Sequence, residues 1–72
     1  MKITPVHYRV LVRLFEKAGW IYARTKGDHL VYEKYGFLRP VVIPKYKTVP
    51  TFVIKNNLRT ARISREDYFE LL

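Results

Sequence analysis

The chain has 72 residues and combines 14 Lys and Arg with 6 Asp and Glu, which gives a formal net charge of +8. Three of the acids lie at the C-terminal end, so residues 1–65 form a basic body with 14 bases and 3 acids. This length predicts one domain with a small core. The absence of cysteine excludes a disulfide framework, a thiolate zinc site and a cysteine nucleophile.

The excess of positive charge indicates a polyanionic partner, of which nucleic acid is the commonest kind. A basic protein without a specific ligand is the alternative that charge alone leaves open. No stretch approaches the ~20 apolar residues that cross a bilayer, and the N-terminus lacks the pattern of a secretory signal. We therefore expect a cytoplasmic protein with no membrane contact.

The first predicted element is a helix that begins at Thr4 and Pro5, because threonine caps free backbone donors and proline is tolerated in the first turn. Apolar residues then recur at helical spacing and mark one face. Gly19 is the predicted end of this helix. His7, near the positive end of the helix dipole, is interpreted as a neutral histidine without a catalytic role.

Three short strands are predicted next, over residues 20–26, 29–35 and 38–43. The pair Gly27-Asp28 separates the first two as a tight turn. Because consecutive strands joined by tight turns form a meander, the sheet is predicted to be antiparallel. Pro40 cannot donate a ladder hydrogen bond, so either the third strand begins after it or, as we prefer, that segment lies at a sheet edge.

The second half of the chain predicts two more helices. Pro44 and Pro50 bracket a basic loop, defined here as residues 45–49. Thr51 is a candidate cap for a helix that ends near Leu58, with the pair Asn56-Asn57 as its weak point. Ser64, three residues before Asp67, matches the capping pattern of a short final helix.

The order helix, three strands, helix and short helix predicts an α+β domain of two layers, with a three-stranded antiparallel sheet and its helices on one face. One such domain spans residues 1–72. Tyrosines and Trp20 are numerous, and we expect Trp20 to belong to the core. Tyr46 fits equally well as a core residue or as a platform for an RNA base.

The side chains exclude several kinds of catalytic site and leave one candidate residue. His7 and His29 lack metal-ligand spacing, with only Asp28 as a neighbouring carboxylate, so no metal site is predicted. Isolated glycines form no phosphate-binding loop, and no cofactor is predicted. His29 remains, at the mouth of a strand beside a turn, with Arg24 and Lys26 on the strand before it.

RNA cleavage requires transfer of a proton from a 2′-hydroxyl, a proton for the leaving oxygen, and positive charge where the phosphorane forms. Imidazole can serve either proton role near neutral pH. Arg24 and Lys26 are the candidate phosphate ligands. By spacing alone, however, an ordinary surface histidine is the simpler interpretation of His29.

A family resemblance adds a second argument. The run Lys26-Gly27-Asp28-His29-Leu30-Val31-Tyr32, then Val41-Val42-Ile43-Pro44, and then Asn57-Leu58-Arg59-Thr60-Ala61 with Ile63-Ser64 resembles the HicA toxin family. The helix that closes on Ala18-Gly19-Trp20 is also similar to that family. The resemblance covers nearly the whole chain in the right order.

The resemblance implies a fold similar to a double-stranded-RNA-binding domain. It implies that this protein is the toxin of a toxin-antitoxin pair, an mRNA endoribonuclease that depends on the histidine after Gly-Ser or Gly-Asp, here His29. A HicB-type antitoxin that covers this histidine is the implied protein partner.

Many members of the family carry a second histidine just after the Ile-Pro step, where this chain has Lys45-Tyr46. An unperturbed phenol titrates near ~10, so Tyr46 is a poor proton donor near neutral pH, and the second proton role has no assigned residue. The residues predicted to bind substrate are Arg24, Lys26, Gly27, Lys45, Tyr46 and Lys47.

Three hypotheses follow from the sequence. The first is a metal-independent endoribonuclease with His29 as general base or acid. The second is a non-catalytic RNA-binding module with the shape of a double-stranded-RNA-binding domain. The third is a protein-interaction domain with no nucleic-acid ligand.

Overall fold

A computed structural model describes residues 1–72. It contains one antiparallel sheet in the strand order β1-β2-β3, with the helices packed on one face, as the sequence predicts. The elements in chain order are α1 (Tyr8–Lys17), β1 (Ile21–Lys26), β2 (His29–Glu33), β3 (Val41–Pro44), α2 (Thr51–Ala61) and α3 (Arg65–Leu71).

Helix α1 begins later than predicted, because its N-cap is His7 and not Thr4. The segment before the helix is extended: Val6 forms a β-bridge with Val49, whose N–H donates to the Val6 carbonyl oxygen at 2.7 Å. A chain held in this bridge cannot also form the first helical turn. His7 Nδ1 instead accepts a hydrogen bond from the Arg9 N–H at 3.2 Å, which requires this nitrogen to be unprotonated.

The apolar face of α1 forms one side of the core. Leu11, Leu14 and Phe15 are buried, and Trp20 packs edge-on against Phe15 with ring centroids 6.4 Å apart. Trp20 is 2% exposed, so the prediction that it belongs to the core is confirmed. Gly19 follows the helix with a φ of +93°, in the left-handed region that ends helices.

The strands form the predicted meander, with boundaries that differ by a few residues. β1 begins one residue later and β2 ends two residues earlier than predicted. β3 begins after Pro40, whose missing N–H leaves no gap in the ladder, and it is also an edge of the sheet. A β-bulge interrupts the register of β1 between Tyr22 and Arg24.

The alternation of β2 gives the sheet two unlike faces. Tyr32 belongs to the core cluster and Leu30 packs against it, so these side chains point towards the helices. His29, Val31 and Glu33 therefore point the other way. We call this second surface the open face; because directly paired residues share a face, it also includes Arg24, Lys26, Val42 and Pro44.

Helix α2 attaches to the edge strand of the sheet. Its N-cap is Pro50, and no side chain caps it, so the prediction that Thr51 is the cap is wrong; Thr51 is the first helical residue. Asn57 is not the weak point that was predicted. It is 7% exposed, and its Nδ2 donates to the Val42 carbonyl oxygen of β3 at 3.0 Å.

Helix α3 completes the core with Tyr68, which is 1% exposed. As predicted, Ser64 caps this helix: its hydroxyl accepts the Asp67 N–H at 3.0 Å. Lys17 of α1 donates to the carbonyl oxygen of Leu71 at 3.0 Å and connects the two helices. None of the three helices has the length and apolar character that crossing a membrane requires.

Candidate active site

The turn between β1 and β2 determines where His29 stands. Lys26 and His29 are paired across the two strands, so Gly27 and Asp28 form a two-residue connection. Gly27 has a φ of +62° and is followed by a residue with negative φ, which is typical of a type II′ hairpin turn. This turn matches the right-handed twist of the strands and fixes the register.

The imidazole of His29 lies beside a carboxylate on one side and is open on the other. Its Nδ1 lies 2.8 Å from Oδ1 of Asp28, and 43% of the side chain is exposed. A carboxylate beside Nδ1 favours a proton on that nitrogen and leaves Nε2 free to accept one. The arrangement can therefore present a basic nitrogen to a ligand on the open face.

Sequence reasoning missed this role of Asp28, which it considered as a turn residue and as a possible metal ligand. The sequence did contain an indication of this contact, because Asp28 and His29 are consecutive and a carboxylate can reach a neighbouring imidazole. Whether it does so depends on the turn. Nowhere do three His, Asp or Glu side chains come together in an arrangement that could hold a metal ion.

Two predicted substrate ligands lie next to His29. Lys26 is its direct partner on β1, and direct partners on one face have Cβ atoms roughly 5 Å apart. The Tyr46 ring and the imidazole form a T-shaped pair with centroids 6.4 Å apart, and Tyr46 is 42% exposed. The structure therefore places Lys26 beside His29 on the open face and an accessible aromatic ring next to the imidazole.

The basic loop is attached to the hairpin by its first residue. The N–H of Lys45 donates to the Asp28 carbonyl oxygen at 2.8 Å, and Pro44 is the direct partner of His29 on β3. Lys45 therefore begins beside the turn that carries the histidine. Lys47 is exposed in the same loop, and no hydrogen bond or ion pair fixes its side chain.

Arg24 does not join this group. It is paired with Val31, two residues further along the open face than His29, and its Nη1 contacts Oε2 of Glu33 at 3.2 Å. Both side chains are more than half exposed, so the ion pair is worth little energetically. It nevertheless directs the guanidinium away from the histidine.

Gly27 contributes its backbone conformation to the site.

The start of α1 adds two residues that the sequence did not indicate. The Tyr8 N–H donates to the Tyr46 carbonyl oxygen at 3.1 Å, which attaches α1 to the basic loop. Arg9 Nε donates to the Tyr8 hydroxyl at 3.4 Å. This hydrogen bond, with the charges of Arg9 and Lys45, lowers the pKa of Tyr8. The cationic region around His29 thus extends to the helix.

Comparison with known families identifies the chain. Residues 8–63 match the family model described as the HicA toxin of bacterial toxin-antitoxin systems. The chain belongs to the HicA toxin family. The match begins at the first residue of α1 and includes the sheet, the basic loop and α2.

The HicA match contains the whole candidate site, including Asp28, His29 and Tyr46. It ends before α3, so the acidic final helix lies outside the matched region. Family membership establishes a toxin role within a toxin-antitoxin system. No curated protein matches the chain.

Proposed function

We propose that this HicA-family toxin is a metal-independent mRNA endoribonuclease in which His29 transfers a proton during cleavage. The observation that carries the proposal is the geometry of one residue: a half-exposed imidazole whose Nδ1 contacts Asp28 at 2.8 Å. A histidine with one nitrogen beside a carboxylate and the other free is suited to general acid-base catalysis.

In the proposed reaction the ribose 2′-oxygen attacks the adjacent phosphorus, and the bond from phosphorus to the 5′-oxygen breaks. Nε2 of His29 takes the 2′-hydroxyl proton or supplies the proton that the leaving 5′-oxygen requires. Asp28 stabilises the imidazolium that forms in the first case. Such proton transfer contributes roughly 10²- to 10⁴-fold in rate.

The charge that builds up on the phosphorane is assigned to Lys26 and to the basic loop. Lys26 is opposite His29 in the register, and Lys45 begins at the same turn. Fixed cations near the reacting phosphate stabilise the transition state more than the ground state. Arg24 is a weaker candidate than the sequence suggested, because it already contacts Glu33.

The Tyr46 ring is assigned to an RNA base next to the cleaved bond. It is 42% exposed and lies next to His29 in a T-shaped arrangement, and stacking of a base on an exposed aromatic ring is worth roughly 1–3 kcal/mol. The second proton-transfer group has no assigned residue. We further propose that a HicB-type antitoxin covers this open site and blocks RNA access.

The proposal is tested with two matched histidine variants. His29→Asn removes the candidate catalytic imidazole, and His7→Asn removes the only other imidazole while keeping a good N-cap on α1. Labelled RNA is incubated with each purified protein in excess chelator, and cleavage and binding are both measured. We expect His29→Asn to abolish cleavage with binding within a few-fold of wild type, and His7→Asn to cleave normally.

The non-catalytic RNA-binding module is the second candidate, and the observation that favours it is the tyrosine at position 46 beside a single histidine. Under that function, wild type and His29→Asn bind RNA equally and neither cuts it. Binding that is absent at every salt concentration contradicts both candidates, because phosphate contacts strengthen as salt falls.

A further inference from the structure

A second cationic surface lies at the opposite end of the sheet from His29. It is a groove of about 700 Å³ between the β2–β3 connection and the last turns of α2. Three arginines line it: Arg39 from the connection, and Arg59 and Arg62 from the end of the helix. We call it the arginine groove.

The arginine groove contains no negative charge. None of the residues that line it is acidic, and the ion pairs of the chain involve Arg24 and His29, not these arginines. All three arginines are exposed. Arg59 donates to the side-chain oxygen of Asn56 at 3.1 Å, a neutral contact that leaves its charge uncompensated.

Arg62 is held in an unusual backbone conformation in this groove. It ends α2 with a φ of 57°, and it is the only residue other than glycine with positive φ. Glycine or asparagine is the usual residue at such a position. The guanidinium of Arg62 lies over the Phe37 ring, 5.3 Å from its centroid. The cation–π contact thus fixes the charge of a residue whose backbone conformation is itself strained.

Strand β3 connects the arginine groove to the candidate active site. Arg39 lies just before the strand, and Pro44 at its other end is the partner of His29. Because Arg39 lies in a bend before the strand, the chain from Arg39 to Pro44 covers at most roughly 16 Å, or about five nucleotides of a stacked strand at ~3.4 Å each. Because β3 is an edge strand, an RNA segment that passes around this edge can reach both the open face and the groove beside α2.

We propose that the arginine groove binds the phosphodiester backbone of the substrate RNA about five nucleotides from the bond cut at His29. This inference rests on the proposed function and adds a second anchoring site to it. Guanidinium groups match phosphate oxygens in bidentate geometry, and Asn56 and Thr60 add neutral hydrogen-bonding groups to the same groove. The groove thus sets the minimum length of a good substrate.

The test compares two triple variants, each made in the His29→Asn background so that the RNA stays intact. The groove variant carries Arg39→Gln, Arg59→Gln and Arg62→Asn, because asparagine tolerates positive φ. The control carries Lys2→Gln, Arg13→Gln and Arg65→Gln, which remove the same charge from exposed positions elsewhere. Binding to labelled oligoribonucleotides of roughly four and roughly 14 nucleotides is measured across a salt series.

We expect the groove variant to bind the longer RNA roughly tenfold more weakly than the control, with a salt slope lower by about 2, since each lost single-strand phosphate contact removes about 0.7. Affinity for the shorter RNA should be equal in the two variants. Equal loss in both variants, or a loss that is the same for both RNA lengths, overturns the proposal.

Arg62→Gly separates binding from folding in the same background. Glycine relieves the positive φ, so we expect the melting temperature to rise or stay constant while affinity for the longer RNA falls. Affinity that stays at the parent value overturns a role for Arg62. Failure of the proposed function has a different signature, in which wild type leaves RNA uncut while the length-dependent binding remains.

Discussion

The two faces of strand β2 differ in how far their side chains are exposed to solvent. On one face Tyr32 is 3% exposed and belongs to the core with Ile43 and Val41 of β3. On the other face His29 is half-exposed, with Asp28 of the hairpin and Tyr46 of the basic loop next to its imidazole. Alternation along one short strand therefore places the half-exposed imidazole of His29 one residue from the hydrophobic core.

The difference teaches that packing on the core face fixes the geometry of the side chains on the open face, where the proposed site lies. Packing of alternate residues against the helices determines the register, because a slip by one residue would expose the apolar side chains. His29 gains its position from that register and contributes little to it. Substitutions on the two faces should therefore have separate consequences for stability and activity.

The largest predicted effect uses two neighbours on β3. Ile43 is fully buried in the core, so Ile43→Ala should lower the free energy of unfolding by about 2–5 kcal/mol. Val42, on the open face, is only partly buried, and Val42→Ala should cost clearly less. Urea denaturation measures both. Equal losses would contradict the assignment of the two faces.

The architecture was largely predictable from the sequence, because strand patterns and turn residues act locally. The sheet order and the cap of α3 by Ser64 follow from such signals. The start of α1 was not predictable, because a bridge to Val49 competes with the local cap signal of Thr4. Asn57 has a low helix propensity, and its stabilising hydrogen bond was not predictable because the acceptor, on β3, is distant in sequence.

The position of His29 in the candidate site was predictable from the sequence, but the residues around it were predicted only in part. A turn followed by a histidine is a local pattern, and Lys26 follows from the hairpin register. The ion pair of Arg24 with Glu33 was not expected, because it joins side chains of two strands and follows only from their pairing. The arginine groove was missed, because its residues come from two elements that meet only in the fold.

The second prediction concerns high pH. Burial, with a hydrogen bond to Glu16, raises the pKa of Tyr32 to about 12, above the ~10 of an unfolded tyrosine. Its contribution to stability is therefore fully present below pH ~10 and is lost as pH rises towards 12, by about 1.4 kcal/mol per pH unit. Urea unfolding at several alkaline pH values should show this loss in wild type and not in Tyr32→Phe.

Tyr35→Phe provides the control, because Tyr35 is fully exposed and should leave the alkaline loss of stability unchanged. An identical decline in wild type and Tyr32→Phe would contradict the role given to Tyr32. Tyr68 adds a smaller contribution of the same sign, since burial also raises its pKa, and this contribution is present in every variant compared.

The third prediction tests the attachment of α2 to the sheet. Asn57→Ala leaves the Val42 carbonyl oxygen without its side-chain donor and should lower the free energy of unfolding by about 1–3 kcal/mol. Asn56→Ala changes the exposed neighbour and should stay within roughly 0.5 kcal/mol. Chemical denaturation of the pair measures the difference, and equal stabilities would show that the buried hydrogen bond contributes nothing.

The smallest predicted effect has the opposite sign. The Tyr68 hydroxyl is buried with no hydrogen-bond partner, so Tyr68→Phe should leave the stability unchanged or raise it by up to about 1 kcal/mol. Tyr32→Phe at neutral pH loses a hydrogen bond to Glu16 and should be less stable than wild type. A clear destabilisation by Tyr68→Phe in thermal melts would mean that its hydroxyl does have a partner.

The most direct measurement of the central claim is the chemistry of the RNA ends after cleavage in excess chelator. If the open face presents His29 to a ribose 2′-hydroxyl, the products of wild type carry a 2′,3′-cyclic phosphate and a 5′-hydroxyl. RNA with a 2′-deoxy nucleotide at the cut position should then resist cleavage. Products with a 3′-hydroxyl and a 5′-phosphate, or cleavage of the deoxy substrate, would contradict the account.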